Sequence, residues 1–542
     1  MGVTDSNAWT AEPPGPIAVV NARVWTGDPK RAWADALLTD DDRIATVGFS
    51  AEVMKRVRGE THVIDAGGRM VVPGFVDAHI HFLAGGLGLA SVQLRDASTR
   101  DVFVRRIAEF ARTRAPGTWI RNGDWDHELW GGELPRREWI DAVTPDNPVW
   151  INRLDGHMAL ANTLALRAAG ITRDTPEVAG GTIVRGDAGE PTGVLKDNAQ
   201  QLIDRVVPSP SDADLDAALA AAMRHVARHG VTSVQHMGTW DDLAVFQRAR
   251  AASTLETRIY AAVPIHTWER LRDYVNTHGR GDAWLRVGAL KGFVDGSLGS
   301  HTAAMLEPFT DAPHDRGLFV NTPEDLDHWT SGADAAGLHL IVHAIGDLAI
   351  RTQLDIYERA IRVNGPKDRR FRIEHAQHLT AQDIPRFAQL GVIASVQPYH
   401  AIDDGRWAER VIGPARAKLT YAFRSLLDAG ARLAFGSDWH VAPPFPLAAI
   451  HAAVTRQTLD GKHPDGWIPE QRITVQEALR AHTIDAVYAS FEDAEKGSIA
   501  RGKLADFVLL DRDITRVPAA ELAETRVMMT VVGGRVVFSD GD

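Results

Sequence analysis

The sequence of 542 residues contains no cysteine. Disulfide bonds, thiolate nucleophiles and thiolate-bound metals are therefore excluded, and any metal must be held by nitrogen and oxygen ligands. No apolar run approaches the ~18 residues of a membrane-spanning helix. Excess positive charge is also lacking, because the formal net charge is -12. This charge argues against nucleic acid or an acidic membrane surface as a partner.

The first 16 residues, MGVTDSNAWTAEPPGP, have neither a basic region nor an apolar core. A secretory signal has both, so we expect a cytoplasmic protein. A hydrophobic fraction of 44% and a charged fraction of 24% are ordinary for a soluble globular chain. The length exceeds what one compact core accommodates, so two or three folding units are expected. A homodimer is left open.

Short strands punctuated by Gly and Asp dominate both ends of the chain. The apolar or alternating runs lie at 16–25, 43–48, 507–511 and 527–538. The last run contains Gly533-Gly534, a pair typical of a two-residue hairpin turn. We therefore predict a small β-sandwich domain built from both termini, residues 1–70 and 495–542.

Strands alternate with helical stretches through residues 71–494, which is the pattern of a parallel α/β fold. Eight strand candidates with crossover helices predict a (β/α)8 TIM barrel. They lie at 74–81, 231–236, 257–263, 285–294, 338–343, 371–375, 392–396 and 432–438, with helices between them such as 383–390 and 422–429. About 150 residues separate the first two strands, so residues 88–215 are predicted to form an inserted α+β lobe.

Two histidines, His79 and His81, end the first strand candidate. Side chains two residues apart on a strand point to the same face, so both imidazoles are expected to converge on one point. Two nitrogen donors at such a point suit a divalent transition metal. The pair alone is weak evidence, because about one His-x-His is expected by chance among 22 histidines.

Further candidate ligands follow at later strands, at the end where barrel enzymes carry their catalytic groups. Lys291 lies inside the fourth strand, His343 ends the fifth, His375 the sixth and Asp438 the eighth. Each alone has a structural explanation, such as a helix-capping role for Asp438. The ordered set of six instead predicts a hydrolase site for one or two divalent ions. Zinc is the expected metal, although manganese and iron accept the same ligands.

Lys291 needs its own explanation, because an ammonium inside an apolar strand is costly without a partner. Burial beside cations lowers the pKa of a lysine and favours the neutral amine. A neutral amine can be carboxylated by CO2, and the resulting carbamate is an anion able to bridge two metal ions. Carboxylation of Lys291 is left open.

Two stretches, PGFVDAHIH (73–81) and EKGSIARGKLADFVLLD (495–511), resemble the signatures of the amidohydrolase superfamily. Six further motifs resemble its YtcJ-like branch, which includes N-substituted formamide deformylases. They are DGHMALAN (155–162), KGFVDGSLG (291–299), HAIGD (343–347), IEHAQ (373–377), SVQP (395–398) and GSDW (436–439). The resemblance covers nearly the whole chain. It implies that the four candidate histidines and Asp438 bind metal and that Lys291 takes the bridging position.

The expected function is metal-dependent hydrolysis of a carbon–nitrogen bond in a small molecule, most simply a linear N-acyl or N-formyl amide. Asp438 is expected to take a proton from the metal-activated water and deliver it to the leaving nitrogen. A single-metal deaminase or a cyclic-amide hydrolase is the alternative chemistry. Deaminases usually carry a glutamate just behind the fifth-strand histidine, whereas Ala-Ile-Gly-Asp follows His343. A catalytically silent binding or regulatory barrel is the alternative class, and the complete ligand set disfavours it.

Several polar and aromatic residues are candidates for substrate contact. The predicted insertion is rich in tryptophan, and most of these rings are expected to form the core of the lobe. Trp125 is the candidate for a pocket wall, because the lobe follows the first strand at the catalytic mouth. The other candidates are His157 in the insertion, His236 at the end of the second strand, and Gln397 and His400 after the seventh.

Overall fold

The computed structural model describes residues 15–541. Within that range no helix combines the length and the apolar character needed to cross a bilayer. The expectation of a cytoplasmic protein rests on the first 16 residues, of which 1–14 lie outside the described residues. The described chain begins and ends in β-structure and carries a parallel barrel between the two ends.

The strands form four sheets. In chain order they are β1 (Ile17–Val20), β2 (Arg23–Trp25), β3 (Trp33–Ala34), β4 (Ala36–Asp40), β5 (Arg43–Gly48), β6 (His62–Asp65), β7 (Met70–Pro73), β8 (Phe75–Ile80), β9 (Ile120–Arg121), β10 (Val149–Asn152), β11 (Met158–Ala161), β12 (Gly181–Arg185), β13 (Pro191–Asp197), β14 (Val231–Met237), β15 (Arg258–Pro264), β16 (Leu285–Phe293), β17 (His339–Ala344), β18 (Arg372–His375), β19 (Ile393–Val396), β20 (Arg432–Phe435), β21 (Phe507–Leu510), β22 (Val527–Val532) and β23 (Arg535–Ser539).

Helices connect the barrel strands and cover the lobe. They are α1 (Ser50–Met54), α2 (Phe82–Gly88), α3 (Arg100–Ala111), α4 (Arg137–Ile140), α5 (Thr163–Ala168), α6 (Gln201–Asp204), α7 (Asp212–Ala227), α8 (Trp240–Ala251), α9 (Trp268–His278), α10 (Pro323–Ala335), α11 (Asp347–Asn364), α12 (Ile384–Leu390), α13 (Pro398–Asp404), α14 (Ala408–Ile412), α15 (Pro414–Ala417), α16 (Phe423–Asp428), α17 (Pro446–Thr455), α18 (Val475–Ala481) and α19 (Ile484–Tyr488). The two helices predicted at 383–390 and 422–429 correspond to α12 and α16.

The barrel sheet contains eight parallel strands, β8 and β14 to β20, in chain order. The predicted TIM barrel is therefore confirmed. The predicted strand ends differ where the site begins, because β8 stops at Ile80 and β20 at Phe435. His81 and Asp438 therefore follow their strands instead of lying within them.

No ladder joins β8 to β20 among the described residues, and hydrogen bonds beyond the strand ends close this seam. The Asp438 N–H donates to the carbonyl of His79 at 2.7 Å, and the His81 N–H donates to the carbonyl of Trp439 at 2.7 Å. Gly436 makes the approach possible, since a Cβ there would lie 2.4 Å from the His79 nitrogen. The two candidate ligand segments are thus fixed to each other through their backbones.

Both ends of the chain contribute to one mixed sheet, ordered β23-β22-β21-β7-β2-β3. A second sheet, β5-β4-β1-β6, completes the sandwich, and side chains such as Leu37 and Phe507 share its core. Gly533 and Gly534 have φ of 55° and 72° and close the β22–β23 hairpin. The composite β-sandwich predicted from the sequence is confirmed.

The inserted lobe has its own antiparallel and parallel sheet, ordered β12-β13-β11-β10-β9. It has separate apolar cores, one containing Trp125 and Trp139 and the other containing Trp150. Helix α7, which starts at Asp212, instead packs side chains such as Leu219 into the barrel core. The bounds of 88–215 for the lobe stay a prediction.

Candidate active site

The six predicted ligands form one cluster at the carboxyl end of the barrel, in which five residues are buried and His81 is partly exposed. Asp438 Oδ1 lies 3.3 Å from His79 Nε2 and 3.3 Å from His81 Nε2. Lys291 Nζ lies 3.4 Å from His79 Nε2. The His375 ring is centred 4.9 Å from that of His79, and the His343 ring is centred 4.5 Å from that of His375.

Three of these residues, His79, His375 and Asp438, offer ligand atoms that all lie within 4.8 Å of one another. Two buried atoms of this group, His375 Nδ1 and Asp438 Oδ1, have no hydrogen-bond partner among the described residues. Buried polar atoms normally have partners. A divalent cation with nitrogen and oxygen preference would satisfy both atoms, so the donor set fits a metal such as zinc.

Burial sets the protonation state of the candidate ligands. It lowers the pKa of His81 to about 4 and holds the pKa values of His343 and His375 well below their usual range. These imidazoles are neutral at physiological pH, which is the form that binds metal. Burial raises the pKa of Asp438, but the nearby His79 outweighs it and keeps that carboxyl well below its usual range.

Lys291 lies near the end of β16, buried among these histidines. Burial lowers the pKa of its amine to about 8. A substantial fraction of the amine is therefore neutral near physiological pH, which is the state required for reaction with CO2. Its ammonium form would face Phe293, whose ring centroid is 4.8 Å from Nζ.

A second layer of buried polar groups fixes the orientation of His79. Its Nδ1 lies 2.5 Å from Glu374 Oε2, and Glu374 is paired with both Nε and Nη2 of Arg372 at 2.8 and 2.9 Å. Burial raises the pKa of Glu374, but Arg372 and His79 outweigh it and bring the pKa to about 2. An ionised carboxylate on Nδ1 leaves Nε2 directed at Asp438, the usual support of a metal-binding histidine.

His343 is oriented by the loop that follows β16. Its Nε2 is 2.9 Å from the carbonyl oxygen of Gly296, the geometry of an N–H donor. The same nitrogen is 3.5 Å from Asp295 Oδ1. With Nε2 donating, Nδ1 is the ring nitrogen left to accept or to bind metal.

Two site residues have left-handed backbone, His375 with φ of 70° and Asp438 with φ of 60°. Side chains of neighbouring residues on a regular strand point to opposite faces. The left-handed turn at His375 breaks this alternation, so both Glu374 and His375 contribute to one site. Such strain in non-glycine residues is typical of functional sites.

A cavity of about 250 Å³ opens over the cluster. It has room for roughly eight waters at ~30 Å³ each, so it suits a small molecule. Two predicted substrate residues, His157 and His400, line it. His157 Nδ1 is 2.7 Å from Asp197 Oδ1, and its ring is centred 5.0 Å from that of His343. His400 Nε2 lies 4.0 Å from Asp438 Oδ2.

The other three predicted substrate residues do not line this cavity. Trp125 is fully buried in the lobe core, where its Nε1 donates to the carbonyl of Ile151 at 2.9 Å. His236 turns back towards the start of α2 and accepts the N–H of Phe82 at 3.0 Å. Gln397 is also fully buried, and its amide has no hydrogen-bond partner in the described chain. Apolar packing and helix anchoring account for the first two placements, and the structure gives no partner that explains the third.

Several cavity residues were not predicted from the sequence. They are Arg153 and Asp155 of the lobe, Asp403, Asp404 and Trp407 after the seventh strand, and His440 after the eighth. His440 Nδ1 lies 3.0 Å from Asp124 Oδ1 of the lobe. Two signals were available: His440 lies two residues after Asp438, and Asp155 begins the DGHMALAN motif. The other residues lie in or next to segments whose position over the barrel the local sequence does not specify.

A parallel barrel with buried histidines and an aspartate gathered at its carboxyl end is the framework of a metal-dependent hydrolase. A sequence profile of the amidohydrolase family matches residues 62–538. The chain therefore belongs to the amidohydrolase family, and the resemblance noted in its motifs is confirmed.

Known relatives extend over almost the full chain. Protein LONG AFTER FAR-RED 3 of Arabidopsis thaliana is 41% identical over 96% of this chain and 91% of its own length. An N-substituted formamide deformylase of Arthrobacter pascens is 31% identical over 96% of this chain and 97% of its own length. The crystal structure of an uncharacterized metal-dependent hydrolase from Pyrococcus horikoshii superimposes with a TM-score of 0.76 at 27% identity, covering 93% of this chain and 99% of that one.

Proposed function

We propose that this amidohydrolase cleaves the carbon–nitrogen bond of a linear amide, of the N-acyl or N-formyl type, in a small molecule. The observation that carries the proposal is the meeting of His79, His375 and Asp438 within 4.8 Å, next to a cavity that His375 and Asp438 line. The similarity to an N-substituted formamide deformylase supports the linear amide over other carbon–nitrogen bonds.

The residues proposed to hold a divalent metal, expected to be zinc, are His79, His81, His375 and Asp438, with His343 and a carboxylated Lys291 completing a site for a second ion. When bound, such an ion supplies a water of lowered pKa and polarises the substrate carbonyl. Lys291 is suited to the bridging position, because it lies 3.4 Å from His79 Nε2 and its pKa is lowered to about 8 by burial.

Asp438 is proposed to carry the proton between the two halves of the reaction. Its Oδ1 receives no hydrogen bond from residues 15–541, so this oxygen is free to accept a proton from water. The protonated carboxyl then delivers that proton to the leaving nitrogen. The products are an amine and a short carboxylic acid.

His157 and His400 are proposed to bind the substrate from opposite walls of the cavity. Burial lowers the pKa of His157, but hydrogen bonding and attraction to Asp197 outweigh burial and raise it overall. The imidazole of His157 is therefore a hydrogen-bond donor towards the cavity, suited to the carbonyl oxygen of an amide. Burial lowers the pKa of His400, so this ring is neutral and can accept from the amide N–H.

The test is a hydrolysis screen of N-formyl and N-acyl amines on zinc-loaded protein, with mass-spectrometric detection of both products. We expect an amine and a carboxylic acid, and loss of activity after treatment with a strong chelator. His375→Ala removes a proposed ligand and should abolish turnover. His339→Ala is the matched control, because His339 is also buried but binds the hydroxyl of Tyr260 and the Arg370 carbonyl. Release of ammonia from a ring amine in place of these products would establish a deaminase.

A further inference from the structure

Asp404, the last residue of α13, presents a carboxylate to the cavity. Its Oδ2 accepts hydrogen bonds from the hydroxyl of Tyr421 at 2.6 Å and from Nε2 of Gln377 at 2.9 Å. Its other oxygen, Oδ1, accepts none from residues 15–541, and no cationic nitrogen of these residues lies within ion-pair distance of either oxygen. Two hydrogen bonds therefore fix Oδ2 of the carboxylate, whereas Oδ1 is available to accept a further donor.

The cations nearest to Asp404 are already paired with other carboxylates. Arg153 Nη1 contacts Asp155 Oδ2 at 2.7 Å. Arg406 forms ion pairs with Asp403 and, at 2.9 Å, with Asp126. Burial, together with the neighbouring Asp403, raises the pKa of Asp404 to about 7. The half-buried Asp404 carboxylate therefore lacks a counter-ion among the described residues, and leaving a partly desolvated carboxylate unpaired is costly.

The position of Asp404 relative to the metal cluster follows from the helix. His400 and Asp404 are four residues apart on α13, so they share one face and are separated by about 6 Å along the axis. His400 Nε2 is 4.0 Å from Asp438 Oδ2 and marks the end of α13 next to the reacting centre. Trp407 lines the same cavity, and an aromatic ring beside a carboxylate favours an ammonium group.

We infer that Asp404 is a specificity-determining residue that binds a protonated amine of the substrate about one helical turn from the scissile amide. This inference rests on the proposed amide hydrolysis and names its substrate class, the mono-N-acyl derivative of a short diamine. Tyr421 and Gln377 position the carboxylate, and the substrate ammonium supplies the missing counter-charge at Oδ1. The acyl group then lies over His79 and Asp438.

The first test measures binding without turnover. Propanediamine and butylamine have similar length, but only the diamine retains an ammonium for Asp404 when its other nitrogen occupies the place of the product amine. Calorimetry on the zinc-loaded full-length protein should give at least about tenfold tighter binding of the diamine, the effect of one charged hydrogen bond. Equal binding of the two ligands to the wild-type protein would overturn the inference.

The second test uses Asp404→Asn, an isosteric change that retains an oxygen acceptor for Tyr421. The preference for the diamine should disappear in this variant. Asp428→Asn, on the exposed end of α16, removes the same charge away from the cavity and should keep the preference. If Asp404→Asn retains the preference, the inference fails, whether or not the variant is less stable.

Hydrolysis of N-formyl propanediamine and N-formyl butylamine separates this inference from the proposed function. Selective turnover of the diamine derivative by wild type, lost in Asp404→Asn through a higher KM, supports both. Equal turnover of the two amides overturns the assignment of Asp404 while amide hydrolysis stands. An intact binding preference with no hydrolysis of any amide overturns the proposed reaction alone. Tighter binding of a carboxylate analogue than of the diamine would assign recognition to Arg153 instead.

Discussion

Replacing Glu374 by Gln tests whether the buried second layer controls the metal site. Glu374 is 0% exposed and joins His79 to Arg372 through contacts of 2.5 to 2.9 Å. The amide keeps the shape but removes the charge, so the buried guanidinium loses its counter-ion. Removing one partner of a buried pair costs about 3–5 kcal/mol of folding free energy. Loss of a carboxylate behind a metal-binding histidine typically lowers metal affinity about 10- to 100-fold.

The assay measures both quantities on the same preparation. Urea unfolding of the metal-free protein gives the change in stability, and competition with a coloured chelator gives the zinc affinity. Asp383→Asn is the control, because Asp383 is another buried carboxylate paired with two arginines, Arg351 and Arg386, but it lies at the start of α12 and not on β18. The control should lose stability and keep its zinc affinity. Wild-type zinc affinity in Glu374→Gln would refute the link between this carboxylate and the metal site.

Three further outcomes are expected. Asp438→Asn should lower kcat by about 10²- to 10⁴-fold with much less effect on zinc content, since its basicity is lost while the histidines remain; a metal-loaded variant with wild-type turnover would disprove the proton-transfer role. Lys291→Ala should lower zinc content and activity together, and partial rescue by a short carboxylic acid would support the carbamate; unchanged zinc content and activity would make Lys291 a structural residue. His236→Ala should cost about 1–3 kcal/mol of stability, because the N–H of Phe82 loses its acceptor, and leave KM unchanged; a raised KM with intact stability would return His236 to the substrate site.

The common location of the candidate ligands could largely be predicted from the sequence, because it depends on residue type at strand ends. A barrel strand delivers its last residues to one mouth, so the order His79, Lys291, His343, His375, Asp438 along the chain predicts a common location. Each of these residues lies in a short motif next to an apolar run. Local sequence was therefore enough to place them, even though the ends of β8 and β20 differ from the prediction by one to three residues.

The buried polar groups behind His79 could not be predicted from the sequence, because their partners are remote in the chain. Glu374 contacts His79 across 295 residues, and Arg372 contacts Gln235 across 137. His236 shows the related difficulty. A histidine after a barrel strand predicts a rim residue, yet the start of α2 supplies a backbone N–H that turns the ring away from the cavity. Whether His236 faces the cavity or the backbone N–H of Phe82 is determined only by the packed structure.

The barrel and the inserted lobe both contribute residues to the cavity wall. Asp155 of the lobe accepts a hydrogen bond from Ser297 Oγ of the barrel at 2.5 Å, and Lys196 Nζ donates to the Ser300 carbonyl at 2.7 Å. These contacts hold the lobe against the loop after β16, the same loop that orients His343 through Gly296. The lobe therefore contacts the loop that orients a candidate metal ligand. The candidate metal ligands consequently lie in the strand-end motifs, whereas the wall of the cavity is formed where the lobe and α13 meet over them.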